Sequence, residues 1–231
     1  MAKFSFYAPN SDLKEVEKIS AELKVYGVEL DESFLHTSRL ELHRGRYESG
    51  LSYVALRLQN SLEDYEQKTM TKIALWCEAN YVEAIIFANP GYCVQAVAQM
   101  LDWLDCFRVK IVFENKNDSF LGPVREIEHF FRNYPEMWLS YHGAEIAAQN
   151  IHPFSGGLDS RFYRKLLYMI RVQDICFNGD YALPCEGDGD LAECFSAAAG
   201  FGRNVWASIT PYGGYSLAEI KTQMCKALCR V

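Results

Sequence analysis

The sequence predicts a single-domain (β/α)8 TIM barrel over residues 1–231, and three observations predict it. Short apolar runs rich in Val, Ile, Phe and Tyr alternate with longer amphipathic runs along the chain. That alternation is the pattern of parallel strands joined by right-handed helical crossovers. The apolar runs number eight in 231 residues, the count that closes a barrel. No Pro/Gly/Ser-rich linker and no low-complexity stretch divides them. A doubly wound open sheet is the alternative, which one strand fewer would favour.

In chain order the expected strands are Lys3–Ala8, Tyr26–Leu30, Ser52–Leu58, Tyr81–Ala88, Lys110–Phe113, Met137–Tyr141, Ile170–Cys176 and Val205–Ile209. The helices between them carry start signals. Ser11 stands as a cap ahead of Leu13, Val16, Ile19 and Leu23. Residues 33–47 form a weaker helical stretch. Ser61 begins S-L-E-D before Tyr65, Ile73 and Trp76. Residues 92–106 place Val94, Val97, Leu101 and Leu104 on one face. Val124, Ile127 and Phe131 follow Ser119. Asp190 with Glu193, and Ser216 with Glu219, are capping-box pairs that open the last two helices.

The composition is 49% hydrophobic and 23% charged, with net charge −7. A chain of this length buries roughly 70% of its unfolded surface, enough for a core without staples. The longest basic cluster is Arg44–Arg46, which argues against a nucleic-acid partner, because such binding rests on neutralising phosphates. "MAKFSFYAPNSDLKEVEK" lacks a signal-peptide pattern, and apolar runs such as Ala84–Ala88 are too short to span a bilayer. A cytoplasmic protein without a membrane partner is expected. The eight cysteines, at 77, 93, 106, 176, 185, 194, 225 and 229, form no C-x-x-C pair. They read as small buried hydrophobes, neither a thiolate zinc site nor a disulfide framework.

Barrel chemistry sits at the C-terminal ends of the strands. The residues expected there are Asn10, Asp31, Glu32, Gln59, Asn60, Asn89, Glu114 to Lys116, His142, Glu145, Gln173, Asp174, Thr210 and Tyr212.

Several of these ends resemble a known family. "VYGVELDE" (25–32), "IALWCEANYVEAIIFANPG" (73–91), "VKIVFENKN" (109–117), "MWLSYHGAEIA" (137–147) and "IRVQDICFNGDYALPCEGDGDL" (170–191) are similar, in order, to strand motifs of the xylose-isomerase-like, endonuclease IV-like TIM barrels. The resemblance implies a sugar or sugar-phosphate isomerase or epimerase. It also implies a divalent Mn, Mg or Zn ion held by Glu, Asp, His and Glu on strands 5 to 8. Such an ion would polarise a carbonyl while carboxylates move the proton. Glu114 matches the strand 5 ligand. The other positions depart: His142 stands for the strand 6 Asp and Glu145 for the following His. Arg171 or Gln173 stands for the strand 7 His, Ser208 to Thr210 for the strand 8 Glu, and Asn89 for a strand 4 His.

The resemblance then implies an altered metal site of Glu114, His142 and Glu145. Glu114, Asp174 and Glu186 would be the catalytic carboxylates, and Asn89, Arg171 and Gln173 the substrate contacts. A sugar or sugar phosphate is the expected partner, with a homodimer as the expected assembly. The alternative is a non-catalytic barrel that binds a metabolite or a protein partner. A third reading starts from "SGGLDS" (155–160), the pattern of an ATP-pyrophosphatase loop. That loop follows a buried strand and aims a helix N-terminus at the phosphates. Here it follows helix-like "AEIAAQNIHPF", so a glycine loop capping a helix at 161–168 is the simpler reading.

Overall fold

The computed structural model describes residues 3–153, 163–201 and 204–228. The strands are β1 (Lys3–Tyr7), β2 (Gly27–Asp31), β3 (Ser52–Ser61), β4 (Ala84–Asn89), β5 (Lys110–Glu114), β6 (Trp138–Tyr141), β7 (Leu167–Val172), β8 (Asp174–Ile175), β9 (Tyr181–Ala182) and β10 (Trp206–Ile209). The helices are α1 (Leu13–Leu23), α2 (Arg39–Glu48), α3 (Gln67–Ala79), α4 (Gln95–Leu104), α5 (Val124–Asn133), α6 (Gly143–Ala147), α7 (Leu191–Ala199) and α8 (Leu217–Leu228). Strands β1 to β7 and β10 close a barrel in sequence order, every pair parallel. The two-stranded β8–β9 hairpin stands apart from it.

Side chains alternate across each strand, and the alternation sorts the core into two parts. Ile85 and Phe87 of β4 join the large cluster packed with the helices, whereas Ala84 and Ile86 join Ala55, Val112 and Met169 in a second cluster inside the barrel. Trp138 and Trp206 pack against that inner cluster. Two residues further along the same strand faces stand Arg57, Glu114, Ser140, Arg171 and Ser208. The interior therefore changes from apolar to ionic on the way to the C-terminal mouth.

The eight barrel strands agree with expectation, with changes at their ends: β3 runs on to Ser61, and β4 starts at Ala84, because Tyr81 closes the preceding helix with φ 57°. β7 starts at Leu167, inside the expected helix 161–168, and Asp174 and Ile175 belong to the hairpin. The residues before Tyr163 in that helix, and SGGLDS, lie outside the described residues. Asp12, not Ser11, caps α1 by accepting the Glu15 N–H at 2.9 Å. Asp190 adopts a left-handed conformation and its side chain makes no cap bond to α7. The Ser216–Glu219 box forms as expected. Ser61 opens only a short 3-10 turn before α3. Among the described cysteines all seven are free, and only Cys77 and Cys194 are buried. The other five are at least partly exposed, so burial does not explain them. Among the described residues, no helix is long and apolar enough to cross a membrane.

Gly27 marks the tightest strand contact. A Cβ there would lie 2.7 Å from the Phe4 carbonyl oxygen and 2.8 Å from the Trp206 ring. Gly27→Ala should destabilise the barrel by about 1–3 kcal/mol through overpacking. A urea midpoint equal to that of the parent would refute the close packing of β2 on β1.

Candidate functional site

The barrel mouth is floored by two guanidiniums and two carboxylates. Arg57 of β3 grips Glu114 at the end of β5 through both terminal nitrogens, each at 2.7 Å. Arg171 of β7 reaches the same carboxylate through Nε at 2.5 Å. It also donates through Nη1 to Glu29 of β2 at 2.6 Å and to the Ser208 hydroxyl at 2.5 Å. Ser140 adds a hydroxyl to Glu114 at 3.0 Å, and Ser208 and Ser5 add theirs to Glu29. Glu29 and Arg171 are 2% exposed and Glu114 is 3% exposed. Paired, hydrogen-bonded charges are the form in which ions tolerate such burial.

His142 lies just above. The Asn115 side chain holds its backbone on both sides, accepting the His142 N–H at 2.7 Å and donating to its carbonyl at 3.0 Å. The ring is thereby suspended between Glu114, 3.6 Å from Nδ1, and Gln173, 3.1 Å from Nε2. The two carboxylates titrate in opposite directions. Burial pushes Glu29 up to about 7, against the lowering pull of Arg57 and Ser208. Burial also acts to raise Glu114, but Arg57 and His142 overcome it and hold the carboxyl down at about 2.

The expected site residues divide into those the floor gathers and those it does not. Glu114, His142, Arg171 and Gln173 are linked in one network. Arg171 serves the internal carboxylates through Nε and Nη1, and its Nη2 is buried without a hydrogen-bond partner among the described residues. Glu145, on α6, accepts the Asn117 N–H at 2.8 Å and ties the β5–α5 loop. Asp174 is fully buried and accepts the N–H groups of Ile175, Cys185, Gly187 and Gly189 at 2.8–3.1 Å. Its carboxylate organises the 174–190 loop, and burial raises its pKa against the lowering pull of those four bonds. Glu186 is exposed and accepts from Gln223 of α8 at 2.7 Å. Asn89 ends β4, beside Ser61 in register.

Arg57, Glu29 and Ser140 were absent from the sequence expectation, while Asn115 and Ser208 stood in it only as strand-end positions. A signal was present for two of them: Arg57 is a lone charge inside "SYVALRLQ", and Glu29 is a charge between the apolar Val28 and Leu30 of "GVELD". A charge in such a strand is a buried, paired charge or the strand is misassigned.

No protein-family model matches the chain, and no curated protein sequence matches it. Solved structures do match its fold. The chain is similar to the IOLI protein with a bound zinc atom, at TM-score 0.76 and 14% identity, covering 99% of this chain and 98% of that one. It is similar to 3-keto-D-glucoside 4-epimerase from E. coli, at TM-score 0.73 and 10% identity over 98% and 99%. A xylose isomerase-like TIM barrel protein from Mycobacterium smegmatis, in complex with magnesium, gives TM-score 0.73 and 10% identity over 99% and 95%. The fold shared with these structures is a (β/α)8 TIM barrel.

The donor set does not fit the divalent ion that the sequence resemblance implies. Both Glu114 oxygens are taken by guanidinium groups. The strand 7 position carries a cation and the last strand carries Ser208. Among the described residues no group of three or more His, Cys, Asp or Glu side chains could hold a metal. Glu114, His142 and Glu145 are thus not gathered round a common point.

Removing one member of this network strands the others. Glu114→Gln should lower stability by about 3–5 kcal/mol, because two buried guanidiniums lose their counter-charge. The pH dependence follows from linkage. The lowered Glu114 stabilises the fold above its ordinary value of 4.5, and that contribution is lost as pH falls toward 2. The raised Glu29 works oppositely: its contribution is full below 4.5 and is lost as pH rises through about 7. Urea unfolding between pH 3 and 8 should show Glu114→Gln with a flattened acid limb and Glu29→Gln with a flattened neutral limb. Parallel curves for all three proteins would refute the network.

Proposed function

We propose that this chain is an isomerase/epimerase-like barrel that binds a sugar or sugar phosphate at its C-terminal face without a divalent metal centre. The observation that carries the reading is the saturation of Glu114 by Arg57 and Arg171. A carboxylate gripped by two guanidiniums is a poor ligand, because a metal ion would have to approach against two fixed cations, and it attracts no proton near neutral pH. What faces outward above this floor is polar and close to neutral: the His142–Gln173 pair, Asn89 at the end of β4, and Gln59, whose amide donates to the Tyr7 hydroxyl at 3.0 Å. Fixed amides and an imidazole match the donors and acceptors of a polyol. The sugar class is supported by the fold it shares with the E. coli 3-keto-D-glucoside 4-epimerase, and fold analogy carries no residue assignment.

In this reading Gln173 and His142 contact the ligand, Arg171 and Glu114 hold the floor beneath it, and Asp174 shapes the loop beside it. Elemental mass spectrometry of the purified protein should find no stoichiometric Mn, Mg or Zn, even after soaking in Mn²⁺. Calorimetric titration with a panel of sugars and sugar phosphates should give binding that EDTA leaves unchanged. Gln173→Ala should weaken it by about 3- to 10-fold, the worth of one hydrogen bond. A metal bound one per chain and lost in Glu114→Gln would sink the proposal, as would a panel without a single binder.

A further inference from the structure

We propose that an aromatic wall beside the mouth, led by Tyr181, seats the second ring of a glycoside, so that the ligand is a sugar linked to a further sugar. The inference rests on the sugar-binding reading above. It adds the part of the ligand that the amides and imidazole of the mouth do not hold.

Placement comes first. The β8–β9 hairpin lies between the end of β7 and the start of α7, so it belongs to the C-terminal face. Tyr181 pairs with Ile175 across the hairpin, and Ile175 stands two residues after Gln173, the partner of His142. Two residues span at most about 7 Å, and a paired strand lies about 5 Å away. Tyr181 therefore stands beside the Gln173–His142 pair, one step further out. The segment after β10 closes on the hairpin from the other side. Tyr212 donates its hydroxyl to the Ala182 carbonyl at 2.8 Å, and its ring lies 5.8 Å from those of Tyr181 and Tyr215.

The wall is held in place before any ligand arrives. Gly213 and Gly214 have φ of 57° and 83°, the pair of positive values that a type I′ turn requires. The Tyr215 N–H closes that turn on the Tyr212 carbonyl at 2.9 Å. A Cβ on Gly213 would lie 2.5 Å from the Tyr181 Cβ and 2.8 Å from its Cγ, so bare glycine backbone is what backs the tyrosine. At the root of the hairpin, Asp174 binds four N–H groups. Tyr181 is thus fixed from two directions and still 50% exposed, with the buried Tyr212 behind it. A side chain already ordered, with half its surface open, loses little freedom on binding.

Ring chemistry selects the occupant. The acids of the hairpin are engaged, Asp180 by the Asn178 amide and Asp188 by the Phe177 N–H, so what the wall offers is aromatic area. Such area takes a flat apolar surface with a polar rim. A pyranose has that form, C–H groups on its faces and hydroxyls around its edge. The ring bound to Gln173 and His142 is anchored by its hydroxyls, and the next ring along a glycosidic bond comes onto Tyr181. A free monosaccharide at the amides leaves the wall bare.

Calorimetric titration of the full chain with hexoses, their methyl glycosides, their phenyl glycosides and their disaccharides tests it. A disaccharide should bind about 3- to 10-fold more tightly than the methyl glycoside of the same sugar, the worth of one aromatic contact. Tyr181→Ala should erase that difference and leave the methyl glycoside's affinity unchanged, Tyr181→Phe should keep it, and Gln173→Ala should weaken both ligands. Equal binding of disaccharide and methyl glycoside by the parent overturns the proposal. So does loss of both ligands in Tyr181→Ala at unchanged Tm, or a phenyl glycoside that binds more tightly than the disaccharide, which would give the wall to an aromatic aglycone. A panel in which no sugar binds removes the sugar reading itself, and the proposal falls with it.

Discussion

The mouth of this barrel depends on one carboxylate. Among the described residues Glu114 alone accepts hydrogen bonds from both Arg57 and Arg171, and Arg171 in turn reaches Glu29 across the interior. Strands β2, β3, β5 and β7 are thereby cross-linked through side chains as well as through their backbones, and Ser140 and Ser208 bring in β6 and β10. Barrels commonly fill this layer with branched apolar residues. An ionic layer makes the floor of the mouth rigid and position-specific, because each partner has few geometries that satisfy every donor. It also makes the floor intolerant of single losses.

Above the floor, backbone is ordered by acids of a second kind. Asp174 gathers four N–H groups from a loop of its own strand end, and Gly187 and Gly189 leave it the room: a Cβ on either would come within 2.6 Å of its carboxylate. Asp31 and Glu32 act likewise on the neighbouring loops, Asp31 accepting from Asn10 and Ser33, and Glu32 from Gln59 and Tyr65. Much of the acidity concentrated at the strand ends is thus spent on holding loops still, which leaves amides and one imidazole to meet a ligand.

The fold was legible because it is written in local pattern. Period-two apolar runs and the Ser216–Glu219 box need only short windows to be read. β7 was set three residues late because Leu167 and Tyr168 continue a helix-like stretch, and only closure of the barrel between β6 and β10 assigns them to a strand. The site was legible only in part. Strand-end position found Glu114, His142 and Gln173. Arg57 lies 57 residues from Glu114 and Arg171 lies 142 residues from Glu29, so no window contains a pair. The acids at 174, 145 and 186 are candidates by type and position, and their hydrogen bonds to loop and helix partners depend on tertiary structure that no sequence window shows.

The charge balance of the floor explains how such a barrel can keep acids at its mouth. Above the titration of Glu29 near 7 both carboxylates are ionised and need a charge of +2, which one divalent ion or two guanidiniums can supply equally. The two sources differ in everything else. A metal ion brings Lewis acidity and open coordination positions. A guanidinium brings neither, and it stays protonated at any pH the protein survives. The guanidinium floor therefore forms whenever the chain folds, whatever the supply of metal. Replacing all four groups with apolar side chains of similar volume would be neutral or stabilising by the experience of other buried ion pairs. The ionic arrangement is thus better understood as specifying a floor of fixed shape.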